Sequence, residues 1–192
     1  PPELYNNVHE LLRMAFPQEE IKQNGEVQGG QGVFTLEMKE LGEKVRLFAA
    51  LSLEGRYAED TEYLEPDGDG GDKTNATKRR IRVFVYALLC KFTGRLINPY
   101  GILTGVRPLK PVHRLLDQGY GAQELVALLK SEFMMQEEKA RLLSAIALRN
   151  HVYLPTREEA QKEISIYIGI PYCPSRCYYC SFPGAVLMDY ER

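Results

Sequence analysis

Residues 167–182 read YIGIPYCPSRCYYCSF, and this short stretch decides how the chain is interpreted. It contains Cys173, Cys177 and Cys180 in the spacing C-x3-C-x2-C. Three cysteine thiolates can hold three irons of a four-iron–four-sulfur cluster, which leaves the fourth iron without a protein ligand. An open iron is a position where a small molecule can bind and react, so the stretch predicts a reactive metal centre.

The same spacing has other interpretations that the local sequence disfavours. Positions i, i+4 and i+7 share a helix face, but Pro171 and Pro174 flank the first cysteine and argue against a long helix. Structural zinc needs a fourth ligand, and His9, His113 and His151 are all distant in sequence. A disulfide within the trio is expected only as an artefact of oxidation. We expect the aromatic residues of the stretch to shield a cluster from water: Tyr172, Tyr178, Tyr179 and Phe182.

The segment just before the cysteines predicts how the loop is positioned. Ile164–Ile170 is a short β-branched run that ends at Pro171, which is typical of a buried strand. Ligands of α/β sheets bind at the carboxyl ends of the strands, where this strand would deliver the cysteines. A barrel of this kind needs several further βα units. The chain is therefore expected to hold only the first strand and the cluster loop of a (β/α) barrel.

The N-terminal half predicts helices and a small antiparallel sheet. Residues 3–16 have apolar side chains at helical spacing, and Pro17 ends the run. Two alternating segments, Val33–Lys39 and Lys44–Leu53, are joined by a turn at 41–43, and Arg56–Leu64 is a weaker third strand.

A long helix over 74–93 follows, with Gly94 as its C-terminal stop. Cys90 lies on this helix among apolar residues and is interpreted as a buried core thiol. Residues 95–108 are irregular. Helices are predicted over 108–118, 121–132 and 136–151, and a charged linker over 155–163.

These elements predict an α+β chain in three parts. Residues 1–98 form an α+β N-terminal domain with a short antiparallel sheet. Residues 99–155 form a helical subdomain, and residues 156–192 form the truncated start of the cluster-binding domain.

Composition narrows the function classes. The 192 residues carry a net charge of −2 and are 44% hydrophobic. We therefore expect a packed core and no nucleic-acid binding by charge alone. We expect no membrane span, because no window is apolar enough, and the first residues do not have the pattern of a secretory signal. Clustered cysteines fit metal ligation in a reducing compartment, so a cytoplasmic location is expected.

The cysteine stretch resembles the cluster-binding signature of radical S-adenosylmethionine enzymes. More narrowly, it is similar to the oxygen-independent coproporphyrinogen III oxidase (coproporphyrinogen dehydrogenase) family. Residues 101–108, GILTGVRP, resemble the branch of that family with a long extra N-terminal domain. The chain therefore looks like an N-terminal fragment, which we expect to be inactive alone.

The resemblance implies a site and a reaction. Cys173, Cys177 and Cys180 would ligate the 4Fe-4S cluster. Tyr167 would contact S-adenosyl-L-methionine beside the cluster, and Tyr179 would contact its adenine through the backbone. One electron into the cluster would cleave the sulfonium to a 5′-deoxyadenosyl radical. In the family, that radical takes hydrogen from a porphyrinogen propionate, which loses carbon dioxide and becomes a vinyl group. The electron donor is left open.

One position departs from the family, and two other functions stay open. The best-characterised members have His where this chain has Gly169, which affects substrate choice rather than cluster ligation. A related branch carries haem as a chaperone. Residues 1–150 alone could instead be a docking module, with cations that meet carboxylates of a tetrapyrrole: Arg107, Lys110, His113 and Arg114. The competing interpretation of these residues is a solvated helix start.

Overall fold

The computed structural model describes residues 2–22, 32–65, 73–105, 107–162, 164, 166–182 and 184–186. The elements in chain order are α1 (Pro2–Ala15), β1 (Val33–Leu41), β2 (Lys44–Leu53), β3 (Arg56–Leu64), α2 (Lys73–Thr93), α3 (Leu109–Asp117), α4 (Ala122–Phe133), α5 (Glu137–His151), α6 (Arg157–Lys162), β4 (Tyr172–Cys173) and β5 (Ala185–Val186). This order confirms the predicted α+β class with a small antiparallel sheet and a helical group.

The chain consists of two compact units, Pro1–Val152 and Tyr153–Arg192. We call them unit 1 and unit 2. Unit 1 has one apolar core, which contains residues from before and after position 98 in the sequence. The three-part division at 98/99 and 155/156 stays a prediction about domains.

The sheet of unit 1 is built from two tight hairpins in the order β1-β2-β3. The first turn has Gly42 at φ +64°, and the second has Glu54 at +52° followed by Gly55 at +74°. Positive φ at the first central residue, or at both, is what two-residue turns need to match the twist of the strands. The predicted turn at 41–43 and all three predicted strands are confirmed.

Alternate residues of the sheet form its buried face. Leu47, Ala49 and Leu51 of β2 are buried, whereas Ser52 is exposed. α2 packs on β2 and β3, and α1 packs on α2. The buried residues of α2 include Ile81, Val85, Leu88 and Leu89. Cys90 is half-buried and packs against this core, which confirms its place on the apolar side of the helix.

Three helices complete the core. α5 packs on α3 and α4, and α4 also contacts α2. Their fully buried residues are Val112, Leu125, Leu129, Ala140 and Ala147. The observed helices agree with the three predicted ones to within a residue or two at each end.

The irregular segment between α2 and α3 is held by specific polar contacts. The side-chain amide of Asn98 donates to the carbonyls of Gly101 (2.8 Å) and Leu103 (3.1 Å). The Tyr86 hydroxyl donates to the Asn98 carbonyl (2.7 Å), and burial raises the pKa of that phenol. Arg82 donates to the Ile102 carbonyl and to Thr104. The segment resembling the family branch is thus fixed from α2, and its residue 106 lies outside the described residues.

Candidate metal centre

Unit 2 begins with a short helix where the sequence predicted a linker. The Thr156 amide and hydroxyl both donate to a Glu159 carboxylate oxygen at 2.8 Å, and the Glu159 amide donates back to the Thr156 hydroxyl at 3.3 Å. This reciprocal pair is a capping box, so the linker prediction for 155–163 is wrong over α6. The two Thr156 donors hold the pKa of Glu159 below its ordinary value. The signal was present as Thr156-x-x-Glu159.

The predicted buried strand Ile164–Ile170 is also wrong for its described residues. Ile164 is 90% exposed and Ile168 is 83% exposed, and residues 166–170 pair with no strand. A strand is held by hydrogen bonds to neighbours and by layers on its faces. Neither is present in the part of the chain that the structure describes. Residues 163 and 165 lie outside it.

A minimal parallel pairing closes the cysteine loop instead. Tyr172 of β4 pairs with Ala185 of β5, and Cys173 pairs with Val186. The Ala185 amide donates to the Pro171 carbonyl at 2.8 Å. A Cβ on Gly184 would lie 3.2 Å from that carbonyl oxygen, so glycine allows the close approach. The loop therefore begins and ends at the same point of unit 2.

The three cysteines lie along this closed loop as free thiols. Cys173 and Cys177 are exposed, and Cys180 is half-buried. The Cys180 amide donates to the Cys177 carbonyl at 3.0 Å, which places these two residues on one turn. Cys173 and Cys180 line a shared concavity together with Arg176 and Phe182. The loop thus places Cys173 and Cys180 on one concavity and Cys177 on the turn that leads to Cys180.

The donor set suits an iron–sulfur cluster in its chemistry. Thiolates are the ligands these clusters take, and the three sulfurs here are unpaired and accessible to solvent. Among the described residues, no three His, Cys, Asp or Glu side chains are gathered closely enough to hold a metal ion. The assignment of Cys173, Cys177 and Cys180 as ligands stays a prediction.

The aromatic residues of the loop do not cover the thiols. Tyr178 and Tyr179 are fully or almost fully exposed, and Tyr172 is 56% exposed. Phe182, the fourth aromatic residue of the loop, lines the same concavity as Cys173 and Cys180. Within the described part of unit 2, the three tyrosines therefore do not give the thiols the expected shielding from water.

The two residues predicted to contact the cosubstrate are both accessible. Tyr167 and Tyr179 are 85% and 90% exposed. The Tyr167 ring lies beside Gly169, where a Cβ would approach its Cε1 atom to 3.2 Å. The space next to residue 169 is occupied by this ring, and Gly169 leaves room for it.

Unit 1 contains a polar cluster that sequence analysis missed. His151 Nε2 lies 3.0 Å from Asp117 Oδ1, and the rings of His113 and His151 stack with centroids 6.1 Å apart. His113 is half-buried against this partner, whereas Arg107, Lys110 and Arg114 are exposed. The docking hypothesis for Arg107, Lys110, His113 and Arg114 stays a prediction. The pairing joins α3 to α5, a contact between residues that are far apart in sequence.

Comparison with known proteins gives one distant relative. The chain is 29% identical over 181 residues to the oxygen-independent coproporphyrinogen-III oxidase-like protein HemZ of Bacillus subtilis (strain 168). The match covers 94% of this chain and 36% of that protein, so the chain spans about a third of its relative's length. No family model and no solved structure matches. No helix within the described ranges is long and apolar enough to cross a bilayer.

Proposed function

We propose that this chain is the N-terminal part of a radical S-adenosylmethionine oxidoreductase that decarboxylates propionate groups of a coproporphyrinogen. The observation that carries the proposal is the set of three free thiols on one loop, closed at its base by β4 and β5. The distant similarity to a coproporphyrinogen-III oxidase-like protein supports the choice of reaction.

In this proposal the cysteine loop holds the metal centre. Cys173, Cys177 and Cys180 would bind a 4Fe-4S cluster through their thiolates. When bound, the cluster would supply the electron that cleaves S-adenosyl-L-methionine and starts the radical chemistry at a propionate. The hydrogen bond from the Ala185 amide to the Pro171 carbonyl holds the loop closed at its base. Arg176 lines the concavity of Cys173 and Cys180, and its positive charge would offset the negative charge of bound thiolates there.

Two tyrosines would position the cosubstrate. Tyr167 and Tyr179 lie on either side of the first cysteine in sequence, and both are exposed and free to contact a ligand. The Tyr167 ring occupies the space beside Gly169, where a histidine side chain would compete with it. The proposed enzyme lacks the family histidine at this position, which bears on substrate choice and proton handling.

The remaining parts of the proposal concern the whole protein. Its substrate would be a porphyrinogen, its electron donor a separate reductant, and its location the cytoplasm. Because the chain spans 36% of its relative, turnover is expected only from the longer natural protein.

The test is anaerobic reconstitution of the longer protein with iron and sulfide. We expect about four irons per chain, a broad brown absorbance, and a changed EPR spectrum of the reduced protein when S-adenosyl-L-methionine is added. Cys177→Ala should lose the cosubstrate-dependent change. Cys90→Ser is the matched control, because Cys90 packs against the core of unit 1, and it should behave as wild type.

Two results would contradict the proposal. Equal iron content and spectra in the wild type and Cys177→Ala would show that the trio does not hold the metal. A cluster that forms but leaves S-adenosyl-L-methionine uncleaved, in a protein that binds haem on titration, would favour a haem-carrying function instead.

A further inference from the structure

β1 presents an open edge in the described part of unit 1. Its nine residues face β2 in continuous register from Val33↔Ser52 to Leu41↔Lys44, with no bulge, and it contains no proline. Within the described ranges, no strand or helix pairs with its other side. Long regular edges with free backbone groups are sites where another strand can add.

The backbone groups on that open edge can be identified from the hairpin. In a two-residue turn, the carbonyl of Leu41 accepts from the amide of Lys44, so this pair is a hydrogen-bonded one. Hydrogen-bonded and non-hydrogen-bonded pairs then alternate along the strands. The residues whose amides and carbonyls point away from β2 are therefore the even-numbered ones: Phe34, Leu36, Met38 and Glu40.

The opposite edge of the same sheet is protected. β3 carries Glu59, Asp60 and Glu62, and α2 packs against it. The Arg56 guanidinium on β3 also donates to the Phe92 carbonyl of α2. A covering helix is a usual device against edge pairing. Both edge strands carry charged residues, but among the described residues α2 contacts β3 and not β1, so β1 is the edge more available to a partner.

A like-charged pair on β1 indicates what the partner supplies. Lys39 lies directly opposite Arg46 in the register. Like charges directly opposite in a sheet are unfavourable. The nearest ion pair joins Arg46 to Glu37 at 3.9 Å, and Lys39 has no acidic partner among the described residues. Lys39 thus costs the isolated sheet some stability, which a carboxylate from outside would recover.

We propose that two copies of this chain pair antiparallel through β1, with a two-fold axis at Met38. Met38 then faces Met38 of the second copy, and Leu36 faces Glu40, through the outward backbone groups. On the exposed face, Glu37 of each copy lies directly opposite Lys39 of the other. These are non-hydrogen-bonded pairs, in which side chains approach most closely.

The charges also select this register over its neighbours. An axis at Glu37 would set Glu37 against itself, and an axis at Lys39 would set Lys39 against itself. The axis at Met38 is the one that pairs both residues with the opposite sign, twice per dimer. One strand pair buries less than the roughly 1,200–2,000 Å² of stable interfaces, so the dimer is reversible and concentration-dependent.

Charge reversal tests the pairing, with sedimentation equilibrium of the 192-residue chain as the readout. Lys39→Glu places like charges across the axis and should raise the dimer dissociation constant by about tenfold. The same variant places a carboxylate opposite Arg46 and should slightly raise the melting temperature. Glu37→Lys should weaken the dimer similarly. The double variant E37K/K39E should restore the wild-type constant, because both cross-axis pairs become opposite in sign again.

Three results of these measurements would contradict the proposed dimer. A chain that stays monomeric at every accessible concentration overturns the proposal. If neither single charge reversal changes the dimer dissociation constant, the dimer forms through another surface. Two weakened single variants without recovery in the double variant would refute the axis at Met38. Weakening in both single variants with recovery of the wild-type dissociation constant in the double variant is the result expected from the axis at Met38.

Discussion

Unit 1 and unit 2 have similarly apolar stretches but bury them very differently. In unit 1, Leu11, Leu47 and Leu89 are completely buried by partners on other elements. In unit 2, Ile164, Ile166, Ile168 and Ile170 are all at least 78% exposed. The difference shows that an apolar run becomes a core only where other elements of the chain supply its second layer.

The largest expected effect comes from breaking the core of unit 1. Leu89→Ala should lower the free energy of unfolding by about 2–5 kcal/mol, because it removes buried methyl groups and leaves a cavity. Ile168→Ala is the matched variant in unit 2 and should change it by less than about 0.5 kcal/mol. Urea unfolding followed by circular dichroism measures both. A large effect of Ile168→Ala would show that unit 2 buries this residue in solution.

Two glycines of unit 1 sharpen the comparison between close packing and open space. Gly94 and Gly101 have nearly the same φ angle, at +68° and +60°. A Cβ at 94 meets nothing within 4 Å, whereas a Cβ at 101 would lie 1.8 Å from the Phe133 carbonyl oxygen.

Alanine at either glycine costs about 1–2 kcal/mol for the left-handed backbone. Gly101→Ala should cost about 1–3 kcal/mol more, because the carbonyl belongs to a packed helix end and must shift. Equal losses in the two variants, measured by urea unfolding, would mean that the segment 99–105 moves freely away from α4.

The smallest effect concerns pH. Glu137 accepts from Lys130 (2.7 Å) and Arg141 (3.0 Å), which lower its pKa from 4.5 to about 2. A carboxyl whose pKa is depressed by folding stabilises the fold above its unfolded pKa, and the contribution disappears as pH falls through the folded value. Glu137→Gln should therefore be less stable than wild type at pH 7, and the difference should vanish between about pH 4.5 and 2.

The Glu137 pairs are exposed, so added salt should shrink the difference at pH 7 as well. Thermal unfolding of both proteins across pH and salt measures it. A difference that keeps its pH 7 size at pH 2 would assign the effect to helix propensity rather than to charge.

The contrast between the units also explains what could be predicted from sequence. Spacing and turn chemistry identified the strands and helices of unit 1 that the structure describes, because residues such as Gly42, Gly94 and Pro17 act locally. The strand Ile164–Ile170 failed because strand formation depends on neighbours that the described chain lacks. The helix α6 was missed because its charged residues outweighed the local capping signal of Thr156 and Glu159.

The candidate site shows the same limit. The thiols were identified from their spacing together with the flanking prolines and aromatic residues, and their role as metal ligands stays a prediction. The closure itself, between β4 and β5, had no signal that would have separated it from an ordinary turn. The stacking of His113 on His151 was equally hidden, since the two residues lie on different helices that are far apart in sequence.

The pairing of β4 with β5 has a consequence for the order of events during synthesis. The loop is closed by Ala185 and Val186, which the ribosome adds after the last of the three thiols. A nascent chain that stops at Cys180 carries all three thiols of the loop but lacks the residues that pair with Tyr172 and Cys173. Closure of the loop therefore has to wait until these later residues have left the exit tunnel.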